Sequence, residues 1–190
     1  ITPYIKDTIE GMKYYYKKRP EGIFEFYPFV GINPVVHSFE FLKELLEKYV
    51  NTSHLYHSFH EIPEKPFYGI KVYPPLGFDP WPNDTETLKK HRYLYEFCEA
   101  NDVPIITHCD DQGFRGVNVK EAWRYTDPSS WRTVLENYPK LKLDLAHFGR
   151  QYAIAADKNL LSINARRKNL PSSPWFRSAT ELMLEFDGVY

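Results

Sequence analysis

Net charge is nearly absent from this sequence: 24 basic residues stand against 25 acidic ones, leaving −1. That balance excludes an electrostatic grip on nucleic acid or on an anionic membrane surface. A small-molecule substrate is the expected partner, and a homo-oligomer is left open. Cysteine is scarce, with Cys98 and Cys109 forming no CxxC pair. No disulfide framework is needed, and a reducing compartment, the cytoplasm, is the expected location. Long hydrophobic runs are also missing. The longest stretch without a charge, Phe26 to Phe39, contains Pro28 and Pro34 and falls short of a bilayer span. Ile1 to Lys18 is polar, with no apolar h-region and no small-residue cleavage site, so no signal peptide is expected. Low-complexity segments and domain linkers are absent too. The 190 residues are therefore expected to form one domain over 1–190, long enough to bury a core without staples.

Aromatic residues are abundant, at 17% with 15 tyrosines, which fits an aromatic-rich core and surface better than a sugar-stacking platform. Apolar stretches that read as buried strands alternate with helical patterns. Ile23 to Asn33 is followed by a helix over Phe39 to Val50 behind a Ser38 cap. Tyr68 to Tyr73 is followed by a helix over Thr85 to Ala100. The next strand is Val103 to Cys109, and Asp127 and Pro128 then begin a helix that Pro139 stops. Leu141 to Phe148 is the fourth strand. A final helix starts at Ser173 and Pro174, Gly188 breaks it, and Val189 and Tyr190 begin another strand. One further helix lies in front, from Pro3 to Lys17, capped by Thr2.

Strands and helices in alternation predict right-handed βαβ units and a parallel sheet. Glycine-rich phosphate loops of the GxGxxG or GxxxxGK[ST] type follow none of the strands, which removes the usual warrant for a nucleotide fold. Polar and ionisable residues follow them instead: Asn33, Lys71, His108 with Asp110 and Asp111, then His147. Chemistry at the C-terminal ends of successive strands is the pattern of a (β/α)8 TIM barrel. Strand starts at Ile23, Gly69, Pro104, Leu141 and Gly188 lie about 41 residues apart on average, so eight units need roughly 330 residues. The expectation is an incomplete barrel, about strands 3 to 7 of a larger protein.

Residues two apart on a strand share a face, so Ile106, His108 and Asp110 point one way, and Leu143, Leu145 and His147 also share a side. If both faces look into the barrel, His108 and His147 meet at its mouth. Converging imidazoles suit a divalent metal or a proton transfer. Lys71, a buried cation at the same mouth, suits a carboxylate-bearing substrate. Arg115, in the loop after His108, either does the same work or is a solvated loop residue. Asp110 either hydrogen-bonds a ligand histidine or, with Asp111, is solvated. His54, His57 and His60 recur every third residue, a spacing that does not turn both members of a pair toward one ion on a helix. Cys109 is expected to face away from the mouth and is no nucleophile.

Three segments, GIKVYPPLGFDP (Gly69 to Pro80), LYEFCEANDVPIITHCDD (Leu94 to Asp111) and DPSSWRTVLENYPKLKLDLAHFG (Asp127 to Gly149), resemble the fourth to sixth strand regions of the amidohydrolase superfamily. The branch they most resemble is the amidohydrolase-related, aminocarboxymuconate-semialdehyde-decarboxylase-like group, over about Gly22 to Tyr190. That resemblance implies a divalent metal, usually zinc, held by an HxH pair on the first strand, a histidine ending the fifth and an aspartate ending the eighth. His108 matches the fifth-strand ligand. His147 matches the sixth-strand histidine, which acts on water or substrate in this branch and binds a second metal in binuclear ones. Lys71 falls where some relatives carry a carboxylated bridging lysine and where this branch keeps an ordinary lysine that orients substrate. No HxH occurs in the sequence, so this chain is expected to hold part of a metal site and to be inactive alone.

The function expected of the full-length protein is metal-dependent hydrolysis of a small, carboxylate-bearing substrate by activated water. Nonoxidative decarboxylation on the same fold is one alternative. A non-catalytic barrel module that lacks the metal is another.

Overall fold

A computed structural model describes residues 3–22, 25–53, 62–151 and 174–190. Helix α1 (Pro3–Lys18) buries Ile5 and Met12. The first strand, β1 (Phe29–Gly31), is only three residues long, so the strand expected from Ile23 begins later. Ile23 and Phe24 lie outside the described residues. Over 25–28 the backbone turns to α1 instead of the sheet: Tyr16 Oη accepts from the Phe26 N–H at 3.0 Å, and the Phe26 ring packs edge-on to Tyr15. Pairing with the next strand starts at the Pro28 carbonyl, which accepts from the Tyr68 N–H.

Helix α2 (Phe39–Tyr49) starts where the Ser38 hydroxyl accepts from the Phe41 N–H, and it buries Leu42, Leu45 and Leu46. Strand β2 (Gly69–Val72) leads into a 3-10 turn over Pro74–Leu76. Helix α3 (Thr85–Ala100) is capped by the Asp84 carboxylate on the Thr87 N–H. After β3 (Ile105–Asp110) comes an unanticipated helix, α4 (Val119–Thr126), whose Asn118 caps the Glu121 N–H. The helix expected from Asp127 is split into a 3-10 turn, Pro128–Trp131, and a short α5 (Arg132–Asn137). Asp127 caps Ser129 as expected, but the Ser130 hydroxyl donates to the Tyr125 and Asp127 carbonyls and tightens that first turn. Strand β4 (Leu143–Arg150) and helix α6 (Pro174–Glu185) follow.

The four strands form one parallel sheet in the order β1-β2-β3-β4. Val189 bridges Leu143 in parallel on the far edge of β4, with the Leu143 and Leu145 N–H groups donating to the Gly188 and Tyr190 carbonyls. Among the described residues the sheet is therefore open, consistent with part of a barrel, with one more strand beginning at its edge. No helix among the described residues is long and apolar enough to cross a membrane.

Register fixes the two faces. Ile70, Ile105 and Leu143 stand abreast, as do Val72, Thr107 and Leu145, and all six are at most 2% exposed. The five apolar ones form the core with Leu42, Leu46, Leu94, Leu135 and Leu182 of the helices. Each such aliphatic side chain contributes roughly 1.5–3 kcal/mol by leaving water. The opposite face carries Lys71, Ile106 and Asp144 abreast, then His108 beside Ala146.

Candidate active site

This assignment of faces corrects the sequence reading of β4. Leu143 and Leu145 face the helices, and His108 pairs with Ala146. Strict alternation would therefore send His147 to the helical side, away from His108. It does not go there, because His147, Phe148 and Gly149 all have positive φ, at 72°, 52° and 67°. Pairing between β3 and β4 shifts register over the same stretch, from His108↔Ala146 to Asp110↔Arg150. An irregularity of this kind re-aims a side chain at the end of a strand. The result is that the His108 and His147 rings lie edge to face with centroids 5.1 Å apart. The two imidazoles do converge, by a route that period-two reasoning does not contain.

Gly149 anchors the left-handed stretch. A Cβ built there would lie 2.5 Å from backbone atoms of Trp175 in α6. Its backbone also hydrogen-bonds the Cys109 thiol, while burial pushes that thiol up to about 12. Cys109 is thus a buried clamp facing away from the mouth and not a nucleophile. Gly149→Ala is expected to cost about 2–4 kcal/mol, from the positive φ and from backbone overlap that no rotamer relieves. Urea midpoints of the two proteins check this.

His108 is 7% exposed. Its Nε2–H donates to the Gln112 carbonyl at 3.0 Å, and the Tyr73 ring lies 4.5 Å from it, centroid to centroid. Burial holds its imidazole below the usual histidine range, with Lys71 and His147 adding to the effect against the Gln112 bond. His147 is exposed. Lys71 is half-buried on the same face, and desolvation lowers its ammonium while Asp144, two strands away, opposes that shift.

The other expected residues divide. Asp110 is buried, but its carboxylate accepts from the Gln112 N–H at 2.7 Å, so it shapes the turn that holds His108. Arg115 is exposed and donates to the Asp111 carbonyl at 3.4 Å, staying with its own loop. His54, His57 and His60 lie outside the described residues. The sequence reading passed over Tyr73 and Asp144. Tyr73 was legible as the residue two beyond Lys71 on a strand. Asp144 became legible only when the face of β4 was known.

Does this site fit a metal? Two imidazoles on one tetrahedral zinc, at Zn–N of about 2.0–2.1 Å, have ring centres about 5 Å apart, which the pair here matches. No group of three or more His, Cys, Asp or Glu side chains among the described residues could hold an ion. Because His108 Nε2 carries the proton donated to Gln112, its free lone pair is on Nδ1 unless that turn releases Nε2. The residues present supply part of a four-coordinate donor set.

Parallel strands alternating with helices, with polar and ionisable side chains at the strand ends, are the framework of a (β/α)8 barrel. The chain belongs to the amidohydrolase family, whose model, described as Amidohydrolase, matches residues 60–190. That match begins after β1 and α2. No curated protein and no solved structure matches the chain significantly.

Proposed function

We propose that the full-length protein is a metal-dependent hydrolase of the aminocarboxymuconate-semialdehyde-decarboxylase-like branch, built on a closed (β/α)8 barrel and acting on a small carboxylate-bearing substrate. The observation that carries this reading is the approach of His108 and His147 to 5.1 Å from the ends of adjacent strands. A divalent ion at this mouth, zinc by preference, supplies Lewis acidity that lowers the pKa of a water molecule and polarises the scissile group.

His108 is the residue that would hold the ion. It is buried, kept neutral by its surroundings and fixed by Gln112 and Tyr73, as an imidazole ligand must be. His147 is the more exposed ring. It takes the proton from the attacking water and returns it to the leaving group. Lys71 presents its ammonium on the same face and binds the substrate carboxylate.

The test is metal content together with hydrolysis. Purified full-length protein is expected to carry about one divalent ion per chain, to lose activity to a chelator and to regain it with zinc. Protein that folds, binds no divalent ion and turns over no carboxylate-bearing ester, amide or lactone contradicts the reading. Lys71→Met is expected to raise KM for an anionic substrate roughly tenfold or more, the worth of a hydrogen bond to a charged group, and to leave metal content unchanged. Metal analysis with steady-state kinetics reads both, and loss of metal would indicate a bridging, carboxylated lysine.

A further inference from the structure

Tyr73 is the residue after β2, and its extended backbone, with φ −132°, continues the alternation of that strand. Its side chain therefore rises on the face that carries Lys71. The ring is tilted on the His108 imidazole, 4.5 Å from it centroid to centroid, and lines a cavity of about 240 Å³ that Lys71 also lines. The loop after β3 fixes the tyrosine from the other side. Gly113 in that loop holds φ +105°, and a Cβ built on it would overlap the Tyr73 hydroxyl oxygen and stand 3.5 Å from His108 Nε2. Glycine at 113 leaves the hydroxyl its place beside the histidine.

The neighbouring donors on the loop after β3 and the turn after β1 are engaged. His108 Nε2–H donates to the Gln112 carbonyl, and Gln112 Nε2 donates to the Asp111 carboxylate at 2.9 Å. Arg115 and Trp123 Nε1 both donate to the Asp111 carbonyl, and Asn33 Nδ2 to the Leu76 carbonyl. Tyr73 differs from all of these. It is half-buried, and among the described residues nothing accepts a hydrogen bond from its hydroxyl. Because the ring is held between His108 and Gly113, the hydroxyl cannot swing to another partner without giving up the contact with His108. A donor that is fixed in place and left unpaired is what stabilisation of a developing charge requires.

We propose that Tyr73 is a catalytic residue whose hydroxyl donates to the scissile carbonyl oxygen as that oxygen gains negative charge. The proposal rests on the hydrolase reading and adds a donor to it. Water adds to the carbonyl carbon and gives its proton to His147, while the carbonyl π pair moves onto the oxygen facing Tyr73. That pair re-forms the carbonyl as the bond to the leaving group breaks, and the leaving group takes the proton back from His147. The phenol keeps its own proton throughout, and its hydrogen bond is strongest when the oxygen carries the charge.

Tyr73→Phe removes the hydroxyl and keeps the ring that packs on His108. In full-length protein it is expected to lower kcat by about 10²–10³, the usual cost of losing one such donor, on whichever carboxylate-bearing ester, amide or lactone the wild type hydrolyses. KM is expected to stay within about threefold, and bound metal to stay unchanged. A kcat loss below about tenfold or a change confined to KM overturns the role. Loss of metal overturns it too, because the tyrosine would then act through His108. A second readout needs no turnover. Gly113→Ala is expected to lower the thermal midpoint of the wild type more than that of Tyr73→Phe, in which the overlapped oxygen is gone. Equal losses would place the hydroxyl elsewhere and overturn the role. Failure of the hydrolase reading has a different signature: the wild type itself hydrolyses none of the three substrate classes, and the role falls with it although positions 73 and 113 remain coupled.

Discussion

Replacing His147 by alanine is expected to lower kcat by about 10²–10⁴, the usual worth of a positioned general acid or base, with little change in KM. The argument rests on placement. His147 is the exposed partner of a pair whose other ring is buried and hydrogen-bonded, and three successive left-handed residues turn it toward that partner. Such a backbone costs roughly 1–3 kcal/mol per strained residue, a cost retained where the side chain it aims is used. The pH profile of the variant should lose one limb. A variant that keeps more than a tenth of wild-type kcat and both limbs would mean that His147 moves no proton in the rate-determining step.

The second large effect concerns stability against acid, and it comes from His91, far from the proposed chemistry. His91 is fully buried in α3, stacked on Phe78 with centroids 4.6 Å apart. Its Nδ1–H donates to the Thr87 carbonyl at 2.8 Å, while Nε2 is buried with no partner. Burial brings it down to about 4, the Thr87 bond opposing. In the unfolded chain the same ring titrates at about 6.5. Between these values the unfolded state binds the extra proton. Stability is therefore complete above about pH 6.5 and falls as pH drops toward 4, by about 3 kcal/mol in all. Urea unfolding of wild type and His91→Leu between pH 7 and pH 4.5 isolates this contribution. The variant should be markedly less sensitive to acid, and parallel stability curves for the two proteins would refute the assignment.

Much of the sheet was legible because burial on both sides writes long apolar runs. YGIKVY and VPIITHC mark β2 and β3 within a residue or two, and the parallel order follows from the helices between them. What was misread has local causes. The stretch before β1 is as apolar and aromatic as a strand, but its backbone and rings are satisfied by α1. Helix α4 buries only Ala122 and Thr126, too little to show as an apolar stripe. Its signal was the cap, Asn118 followed three residues later by Glu121, whose side chains bond each other. The face of β4 was inverted because two errors cancelled: His147 was grouped with Leu143 and Leu145, and the left-handed turn that brings it back to His108 was not foreseen. In the sequence, Gly149 was the one hint of such a turn.

The pair of histidines with unequal jobs is the core of this account, and metal stoichiometry tests it most directly. Full-length wild type, His108→Ala and His147→Ala are purified in parallel, and bound divalent metal is measured by mass spectrometry of the elements. The account predicts that His108→Ala loses its metal, while His147→Ala keeps a nearly stoichiometric load. Equal loss from both variants would contradict it and would make His147 a ligand, as in the binuclear members of the superfamily.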